Sequence, residues 1–420
     1  MNCLINKELR RMKNVPEIRF KGFEEEWKTY ILSSIGNFRS NGVDKKIYND
    51  EQIVNLLNYM DVYNYRKITS KNCIDLMKVS ATKKQIKDCN IIKGDIFFTP
   101  SSETPDEIGY VMSIEETLPN TCYSYHLMRF RPFDRILYLS FADYCFSSNY
   151  FRGQMKFKAK GVQRFILSKP DFESLEALLP SYEEQEIITC LFKAIDNVIN
   201  DCKKKIASLK QLKSACLISM FPQQGETVPR IRFKGFDGEW NEQKAEDIFR
   251  QFIEKNRPDL PVLSATQDRG MVTRKAIGYD ISHDKRNECT YKHILPGQFV
   301  IHLRSFQGGF AHSDIEGIAS PAYTVFEFRD KNQHNDIFWK YIFSSKSFIK
   351  QLEKITYGIR DGRSISFDEF KDMKFIIPCV KEQHQIASYF RQLDIQISEQ
   401  EKRLEKLKQI KAACLDKMFV

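Results

Sequence analysis

The chain has 420 residues, of which 29% are charged, and its formal net charge of +10 suits a polyanionic partner without requiring one. This length exceeds one ordinary core and predicts two domains with a connecting element. No run of about 18 apolar residues and no signal-peptide pattern is present, and the eleven cysteines include no C-x-x-C pair. These observations disfavour a membrane span, a disulfide framework and a zinc site, so we expect a soluble cytoplasmic protein.

A segment near the start of the chain is repeated near its middle. Residues 1–14 are basic and without pattern, and we treat them as a leader. Residues 15–27 contain Ile-Arg-Phe-Lys-Gly-Phe and recur at residues 228–240, an offset of 213, with ten of thirteen positions identical. We call these two stretches the opening segments. Their separation is too long for a solenoid repeat and indicates a duplicated domain.

The first half, residues 15–180, has short mixed patterns that predict an α/β domain. Residues 91–98 predict a turn and a strand, and the polar stretch 99–109 follows directly. Residues 152–164 carry five basic side chains and no acidic one. Most runs of charged residues simply face solvent. A related stretch with glycines and arginines occurs at the equivalent place in the second half, and this recurrence favours phosphate contact. The candidate DNA-binding residues of this half are Thr99, Ser101, Ser102, Arg152, Lys156, Lys158, Lys160 and Arg164.

A long helix is predicted over residues 181–221, after Pro180. Apolar residues recur there at alternating spacings of four and three, which keeps the a and d positions of a coiled coil on one stripe. The predicted seam residues are Ile188, Phe192, Ile195, Ile199, Ile206 and Leu209. Residues 222–227 are rich in turn formers and predict a linker.

The second half, residues 228–379, is predicted to be another α/β domain with different loops. Residues 303–310 combine Arg, Ser and Gln with glycines after a predicted strand. Arg and Gln can bind guanine and adenine edges, although composition alone slightly favours an ordinary polar turn. Residues 357–364 again combine glycines with arginines. The candidate DNA-binding residues of this half are Arg304, Ser305, Gln307, Gly308, Tyr323, Arg360 and Arg363.

The helical pattern returns at residues 380–420, 198 positions after its first copy. The matching seam residues are Ile386, Phe390, Leu393, Ile397, Leu404 and Leu407. Lys213 and Lys411 interrupt both copies at equivalent positions. Two apolar stripes in one chain can cover each other, so we predict that the helices pack antiparallel. The two offsets differ by 213 − 198 = 15 residues, which must be additional length inside the first half.

Motifs for catalysis or cofactor binding are missing from the sequence. There is no G-x-x-x-x-G-K-[ST] loop for ATP, no G-x-G-x-x-G after a strand, and no Asn-Pro-Pro-aromatic motif typical of DNA amino-methyltransferases. The seven histidines lack Cys or Asp at metal-ligand spacing. We therefore predict no catalytic residue and no metal ligand.

The sequence resembles the specificity subunits of type I restriction-modification systems over nearly its whole length. The resemblance is carried by the opening segments, residues 94–98, residues 303–310 with 320–323, and Pro-x-x-x-Glu-Gln before each long helix. It implies an α+β fold with two tandem mixed α/β target-recognition domains. Two long antiparallel coiled-coil helices join these domains, and the whole has a pseudo-two-fold internal duplication.

The same resemblance implies a function. Each domain would recognise one half of a bipartite target in double-stranded DNA, while the helices set the spacing and dock two modification (methyltransferase) subunits. Restriction (endonuclease/translocase) subunits would complete the complex. S-adenosylmethionine, ATP and Mg are expected on those partners, with no cofactor on this chain. Three alternatives remain: a non-catalytic coiled-coil structural or interaction protein, the specificity module of a related methyltransferase-nuclease system, and a fused methyltransferase-nuclease, which the missing motifs disfavour.

Overall fold

The structure is a computed structural model that describes residues 14–266, 269–277, 285–302, 309–355 and 365–420. The chain divides into two compact units. Unit 1 extends to Cys202 and also includes Arg403–Val420, whereas unit 2 is Lys203–Lys402. Because both boundaries fall inside the predicted long helices, each unit contains one globular region and a part of both helices.

Unit 1 is built from short strands and short helices. Its strands are β1 (Lys28–Ile31), β2 (Gly36–Arg39), β3 (Gln52–Leu57), β4 (Met77–Ala81), β5 (Asn90–Ile91), β6 (Ile96–Phe98), β7 (Ser101–Ser102), β8 (Val111–Ser113), β9 (Leu118–Tyr123), β10 (Met128–Pro132), β11 (Phe165–Ile166) and β12 (Glu176–Leu179). Its helices are α1 (Leu32–Ile35), α2 (Tyr59–Tyr63), α3 (Lys83–Asp88), α4 (Phe141–Cys145), α5 (Asn149–Lys158) and α6 (Lys169–Glu173), with 3₁₀ turns at Cys73–Asp75 and Pro105–Glu107. The long helix α7 (Tyr182–Ser219) follows.

Unit 2 repeats this plan with fewer residues. Its strands are β13 (Asn241–Lys244), β14 (Phe249–Gln251), β15 (Leu263–Thr266), β16 (Gly270–Thr273), β17 (Lys292–Ile294), β18 (Phe299–Ile301), β19 (Phe310–His312), β20 (Gly317–Ala319), β21 (Thr324–Phe328) and β22 (Lys374–Ile377). Its helices are α8 (Ala245–Ile248), α9 (Asp336–Ser344), α10 (Lys346–Ile355) and α11 (Phe367–Lys371), with 3₁₀ turns at Arg274–Ile277 and Lys285–Thr290. The second long helix is α12 (Val380–Lys417).

Each unit contains the same four-stranded antiparallel sheet. The strand order is β2-β10-β6-β8 in unit 1 and β14-β21-β18-β19 in unit 2. Phenylalanines at alternate positions of these strands form the core, because alternate residues share one face of a sheet. The buried rings include Phe38, Phe98 and Phe130 in unit 1 and Phe249, Phe299 and Phe326 in unit 2. The shared sheet confirms the predicted duplication and the mixed α/β class.

The additional length predicted for the first half lies largely in one connection. Strand β3 ends at Leu57 and β4 begins at Met77, whereas the matching strands of unit 2 end at Thr266 and begin at Gly270. In unit 1 these strands join the sheet β4-β3-β9-β5, while in unit 2 they form a separate pair. Residues 58–76 are therefore an insertion on a shared scaffold.

The long helices pack antiparallel inside each unit. The unit 2 contacts are Lys210–Glu401 (2.7 Å), Lys213–Asp394 (2.5 Å) and Cys216–Tyr389 (3.4 Å). Their residue numbers rise along α7 and fall along α12, as they must in an antiparallel pair. In unit 1 the Phe192 ring contacts that of Phe419, and Asp196 pairs with Lys411, which gives the same order. The predicted helices are confirmed, although they end at Ser219 and Lys417 rather than at residues 221 and 420.

Most predicted seam residues are buried. The buried ones are Ile188, Phe192, Ile199, Ile206, Leu209, Ile386, Phe390, Leu393 and Ile397. Ile195, Leu404 and Leu407 are half-buried. Leu404 and Leu407 are thus less buried than Ile206 and Leu209, their counterparts 198 positions earlier.

Polar triads hold the two lysines that interrupt the seam. The Lys213 ammonium lies 2.5 Å from Asp394, whose other oxygen accepts a hydrogen bond of 2.6 Å from the Tyr341 hydroxyl. The unit 1 triad is Lys411, Asp196 and Tyr144, with distances of 2.5 and 3.1 Å. Burial and the neighbouring aspartate raise the pKa of both tyrosines, so their hydroxyls remain donors. A polar group at one seam position fixes the register, because other alignments would leave it without its partner.

A Glu-Gln pair at the start of each long helix binds the globular region of its own unit. Glu184 accepts two hydrogen bonds of 2.7 Å from the Arg19 guanidinium, and its side chain is only 1% exposed. The adjacent Gln185 donates to the Pro180 carbonyl and accepts from the Tyr138 amide. The unit 2 counterparts are Arg232 with Glu382, at 2.8 Å for both bonds, and Gln383 with the Pro378 carbonyl and the Asn335 amide. The Pro-x-x-x-Glu-Gln motif therefore fixes the start of each long helix to the globular region of its unit, and we call this contact the clamp.

Each opening segment also contacts the end of the other helix in its unit. The backbone bonds are Ile18 N–H to Lys417 O and Ile231 N–H to Ser219 O, both 2.9 Å. Trp27 and Trp240 pack edge-on against Phe419 and Phe221, with ring centroids 5.9 and 6.2 Å apart. Each opening segment thus bridges the start of one long helix and the end of the other within its unit.

We expect Arg232→Ala to lower the free energy of unfolding by about 3–5 kcal/mol, because Glu382 would remain buried without a charge partner. The matched control is Arg230→Ala, whose guanidinium is 62% exposed and pairs with Glu226 at 3.1 Å. Its expected cost is below about 1 kcal/mol. Denaturant unfolding followed by tryptophan fluorescence measures both, and equal losses would contradict the clamp.

Candidate nucleic-acid interface

Two polar stretches predicted in the first half lie side by side in unit 1. Strand β7 belongs to the first stretch and pairs with β11, which directly follows the second. The Leu167 amide also donates to the Pro100 carbonyl at 2.9 Å. Residues 99–109 and 152–164 therefore form one surface, which we call the basic face.

Three of the predicted contact residues support the basic face from within. Thr99 is fully buried, and its hydroxyl accepts a hydrogen bond of 2.9 Å from the Tyr110 amide. Ser102 is buried as well, and its hydroxyl donates to a carbonyl of the same loop at 2.5 Å. Arg152 donates to two further loop carbonyls at 2.5 and 2.9 Å. Thr99 and Ser102 are therefore structural supports rather than DNA contacts, whereas both bonds of the half-buried Arg152 come from one guanidinium nitrogen, so Arg152 stays a candidate.

Two cations of the basic face have no carboxylate partner among the residues that the structure describes. Arg164 is exposed and donates to the Ser101 hydroxyl at 3.0 Å. Lys158 is half-buried at the end of α5 and forms no ion pair in the described part of the chain. Both positive charges are thus available to an anionic ligand, and Ser101 lies beside one of them.

The other two lysines of the basic face are paired at the surface. Lys156 bonds to Asp106, and this contact holds the pKa of the Asp106 carboxyl below its usual range. Lys160 lies 3.6 Å from Asp171, and its side chain is 81% exposed. Exposed pairs are weak, so a phosphate can replace either carboxylate.

A tight turn presents the end of the basic stretch. Lys160 and Ile166 exchange two backbone hydrogen bonds of 3.1 and 2.9 Å. Gly161 has φ +140°, and a Cβ there would lie 2.0 Å from the Arg164 carbonyl oxygen, so the turn requires glycine. Arg164 is consequently held near the tip.

A tyrosine cluster next to the basic face was not predicted from the sequence. Its members are Tyr59, Tyr63, Tyr65 and Tyr110, with neighbouring ring centroids 4.9–5.9 Å apart. The first three belong to the insertion 58–76. The Tyr59 hydroxyl donates to the Ser101 carbonyl at 2.7 Å, and the Arg152 guanidinium lies 5.5 Å from the Tyr110 ring centroid. Burial raises the pKa of Tyr59, so the hydroxyl stays neutral. Tyrosines and cations combined in this way suit nucleic acid, which offers both phosphates and flat bases.

The predicted contacts of the second half are mostly outside the described residues. These are Arg304, Ser305, Gln307, Gly308, Arg360 and Arg363. His302 and Gly309 flank the segment that contains the first four of these residues. The His302 amide donates a backbone hydrogen bond of 3.0 Å to the Gly309 carbonyl, and β18 pairs with β19. This position in the sheet matches that of residues 99–109 between β6 and β8. Tyr323 is half-buried, and its carbonyl accepts a bond of 2.5 Å from Lys292.

Metal ligands are not grouped in the described residues, where no cluster of three or more His, Cys, Asp or Glu side chains could hold an ion. Two buried histidines each lie between two carboxylates: His293 is 2.8 Å from Glu316 and 3.1 Å from Glu254, and His312 is 2.8 Å from Asp336 and 3.5 Å from Asp314. The cysteines of the described part are not joined in disulfides. The helices there include none that is long and apolar enough to cross a membrane.

Comparison with known proteins gives a family and a fold. Residues 24–211 and 238–409 match the type I restriction modification DNA specificity domain. The S subunit of a type I restriction-modification system from M. genitalium aligns with a TM-score of 0.56 at 14% identity, over 97% of this chain and 99% of that one. A structure described for complex assembly and conformational transition of a type I R-M system aligns with a TM-score of 0.55 at 15% identity, over 95% and 99%. A comparison with curated proteins found no match.

We expect Lys158→Ala to weaken binding to duplex DNA of any sequence and to reduce the slope of log K against log salt by about one, because one phosphate contact is lost. The control is Lys244→Ala in unit 2, which removes the same charge from an exposed pair with Glu246. Filter binding at several salt concentrations measures both slopes. An unchanged slope for Lys158→Ala would remove this residue from the interface.

Proposed function

The chain belongs to the type I restriction modification DNA specificity domain family, and on this premise we propose that it is the DNA-recognition subunit of a type I restriction-modification complex. Each unit binds one half of a bipartite target in double-stranded DNA. The observation that carries this proposal is the basic face of unit 1, where Arg164 and Ser101 lie next to the tyrosine cluster.

Different loops on a shared sheet support separate recognition by the two units. Unit 1 places residues 99–109 between β6 and β8, and unit 2 places residues 302–309 between the matching β18 and β19. The tyrosine cluster depends on the insertion 58–76, for which unit 2 has no equivalent connection between β15 and β16. Side chains that differ at equivalent places suit two unlike half-sites.

The long helices offer matched exposed positions for a protein partner. Leu212 and Ile410 are 198 positions apart and are 45% and 44% exposed. Two equivalent apolar positions suit two copies of one partner, which we assign as two modification subunits. Restriction subunits complete the complex, and S-adenosylmethionine, ATP and Mg bind to these partners. The chain itself acts in the cytoplasm without catalysing a reaction.

A homodimerising coiled-coil structural protein is less well supported. Such a protein needs an uncovered seam for its second copy, whereas Leu209, Phe390 and Leu393 are buried within one chain. A fused methyltransferase-nuclease is tested directly, since the purified chain without partners is expected to transfer no labelled methyl group to DNA.

Mapping of methylated sites in cells that contain the chain and its modification partner tests the proposal. We expect a bipartite target, with Tyr65→Ala altering recognition in one half and Arg304→Ala in the other. Each change should reduce discrimination at a base contact by about 1–3 kcal/mol. Arg304 is assigned from the sequence alone, whereas Tyr65 is the most exposed ring of its cluster, at 55%. An effect of either variant on both halves would contradict separate recognition.

Insertion of one heptad into both long helices, within residues 203–205 and 401–403, should lengthen the DNA spacer, meaning the base pairs between the two half-sites that neither unit recognises. Seven residues add about 10 Å of helix, so we expect an increase of roughly one to three base pairs. The half-sites themselves should stay unchanged in the methylation map. An identical spacer would show that the helices do not set the spacing.

A further inference from the structure

Two large apolar side chains project into solvent from the basic face. Phe157 is 91% exposed and Val162 is 92% exposed, more than any other large apolar residue in the described part of the chain. Single exposed apolar residues are ordinary on protein surfaces. Two nearly uncovered ones within a stretch that has five basic residues and no acidic one require an explanation.

Phe157 lies on the exposed side of helix α5, and the opposite side of this helix is buried in the core. Phe151 and Met155, on the opposite side of α5, are 1% and 0% exposed, and successive residues turn by about 100° around a helix axis. The Ser148 hydroxyl caps the first turn by accepting from the Phe151 amide. The Ala159 amide still bonds to the Met155 carbonyl at 3.0 Å, so the last turn is closed. The ring is therefore presented by a complete helix.

The surroundings of Phe157 select an anionic partner over an apolar protein surface. Lys156 and Lys158 flank it in the chain, and Arg164 lies near the tip of the adjacent turn. Phosphate groups line both edges of a DNA groove, and base faces and edges lie between them. An apolar side chain among cations matches this arrangement, because the cations contact the edges and the ring reaches the bases.

We propose that Phe157 is an apolar wedge that enters a groove of the bound DNA and packs against a base step, with Val162 on the turn that follows α5. The inference rests on the proposed function and adds a mode of recognition that hydrogen bonds do not supply. Inserted apolar side chains partly unstack a step and bend the duplex. Flexible steps such as TA and CA yield most readily, so Phe157 selects sequence through deformability.

Fluorescence of 2-aminopurine placed along the first half-site tests the wedge, with the target taken from the methylation map. The full chain is expected to raise the signal at one step, because unstacking relieves quenching. Phe157→Ala should abolish this rise and weaken specific binding by about 10-fold, while the salt slope stays unchanged because no phosphate contact is lost. Phe157→Leu should keep part of both effects.

The matched control is Ile253→Ala, which removes an apolar side chain that is 65% exposed in unit 2. It should leave the signal and the affinity unchanged. Thermal unfolding should be the same for all variants, since Phe157 makes little contact with the fold. Equal fluorescence and affinity for Phe157→Ala and the unaltered chain would overturn the wedge. So would a loss of partner assembly with unchanged DNA binding, which would assign Phe157 to a protein contact.

Absence of DNA binding by the unaltered chain and its complex would instead refute the proposed function. The two failures are therefore distinguishable, because the wedge is judged by the difference between Phe157→Ala and a chain that binds DNA.

Discussion

A helix of 38 residues with an apolar stripe must cover that stripe, and this constraint determines most of the structure. Helices α7 and α12 meet it by packing antiparallel in both units. Apolar contact alone would tolerate a shift of one heptad. The triads of Lys213 and Lys411 do not, because a shift would separate each lysine from an aspartate that also binds a tyrosine of the globular region. Alignment of the helices is thereby coupled, within each unit, to its own globular region.

The opening segments complete this coupling. Each is short, yet it contacts the start of one long helix through a buried Arg–Glu pair and the end of the other through its backbone. A buried ion pair is a weak source of net stability but a strong source of specificity, since the charges tolerate few other arrangements. The ten identical positions of the opening segments therefore belong to a structural element that joins both long helices to the globular region within each unit.

The two units differ by an insertion and in loop sequence, while the four-stranded sheet beneath these loops is the same. Residues 58–76 extend the connection between β3 and β4 and bring three tyrosines to Ser101 and Arg164. Polar groups buried below the loop, such as the Thr99 hydroxyl, hold its backbone in place. Exposed charges and rings can then change without loss of the fold, because few of their contacts belong to the core.

The duplication, the two long helices, their seam and the excess of 15 residues in the first half could be predicted from the sequence, because these features repeat at fixed spacings along the chain. The basic stretch could be located as well, but residue types alone do not separate the buried Thr99 and Ser102 from the exposed residues beside them. That distinction depends on the pairing of β7 with β11, whose partners are more than 60 positions apart. The tyrosine cluster likewise exists only after β3, β4 and the loop around Ser101 have come together. Burial and neighbourhood arise from such distant pairings, which a local pattern of residue types does not encode, so which side chains are exposed and which are buried follows from the tertiary fold.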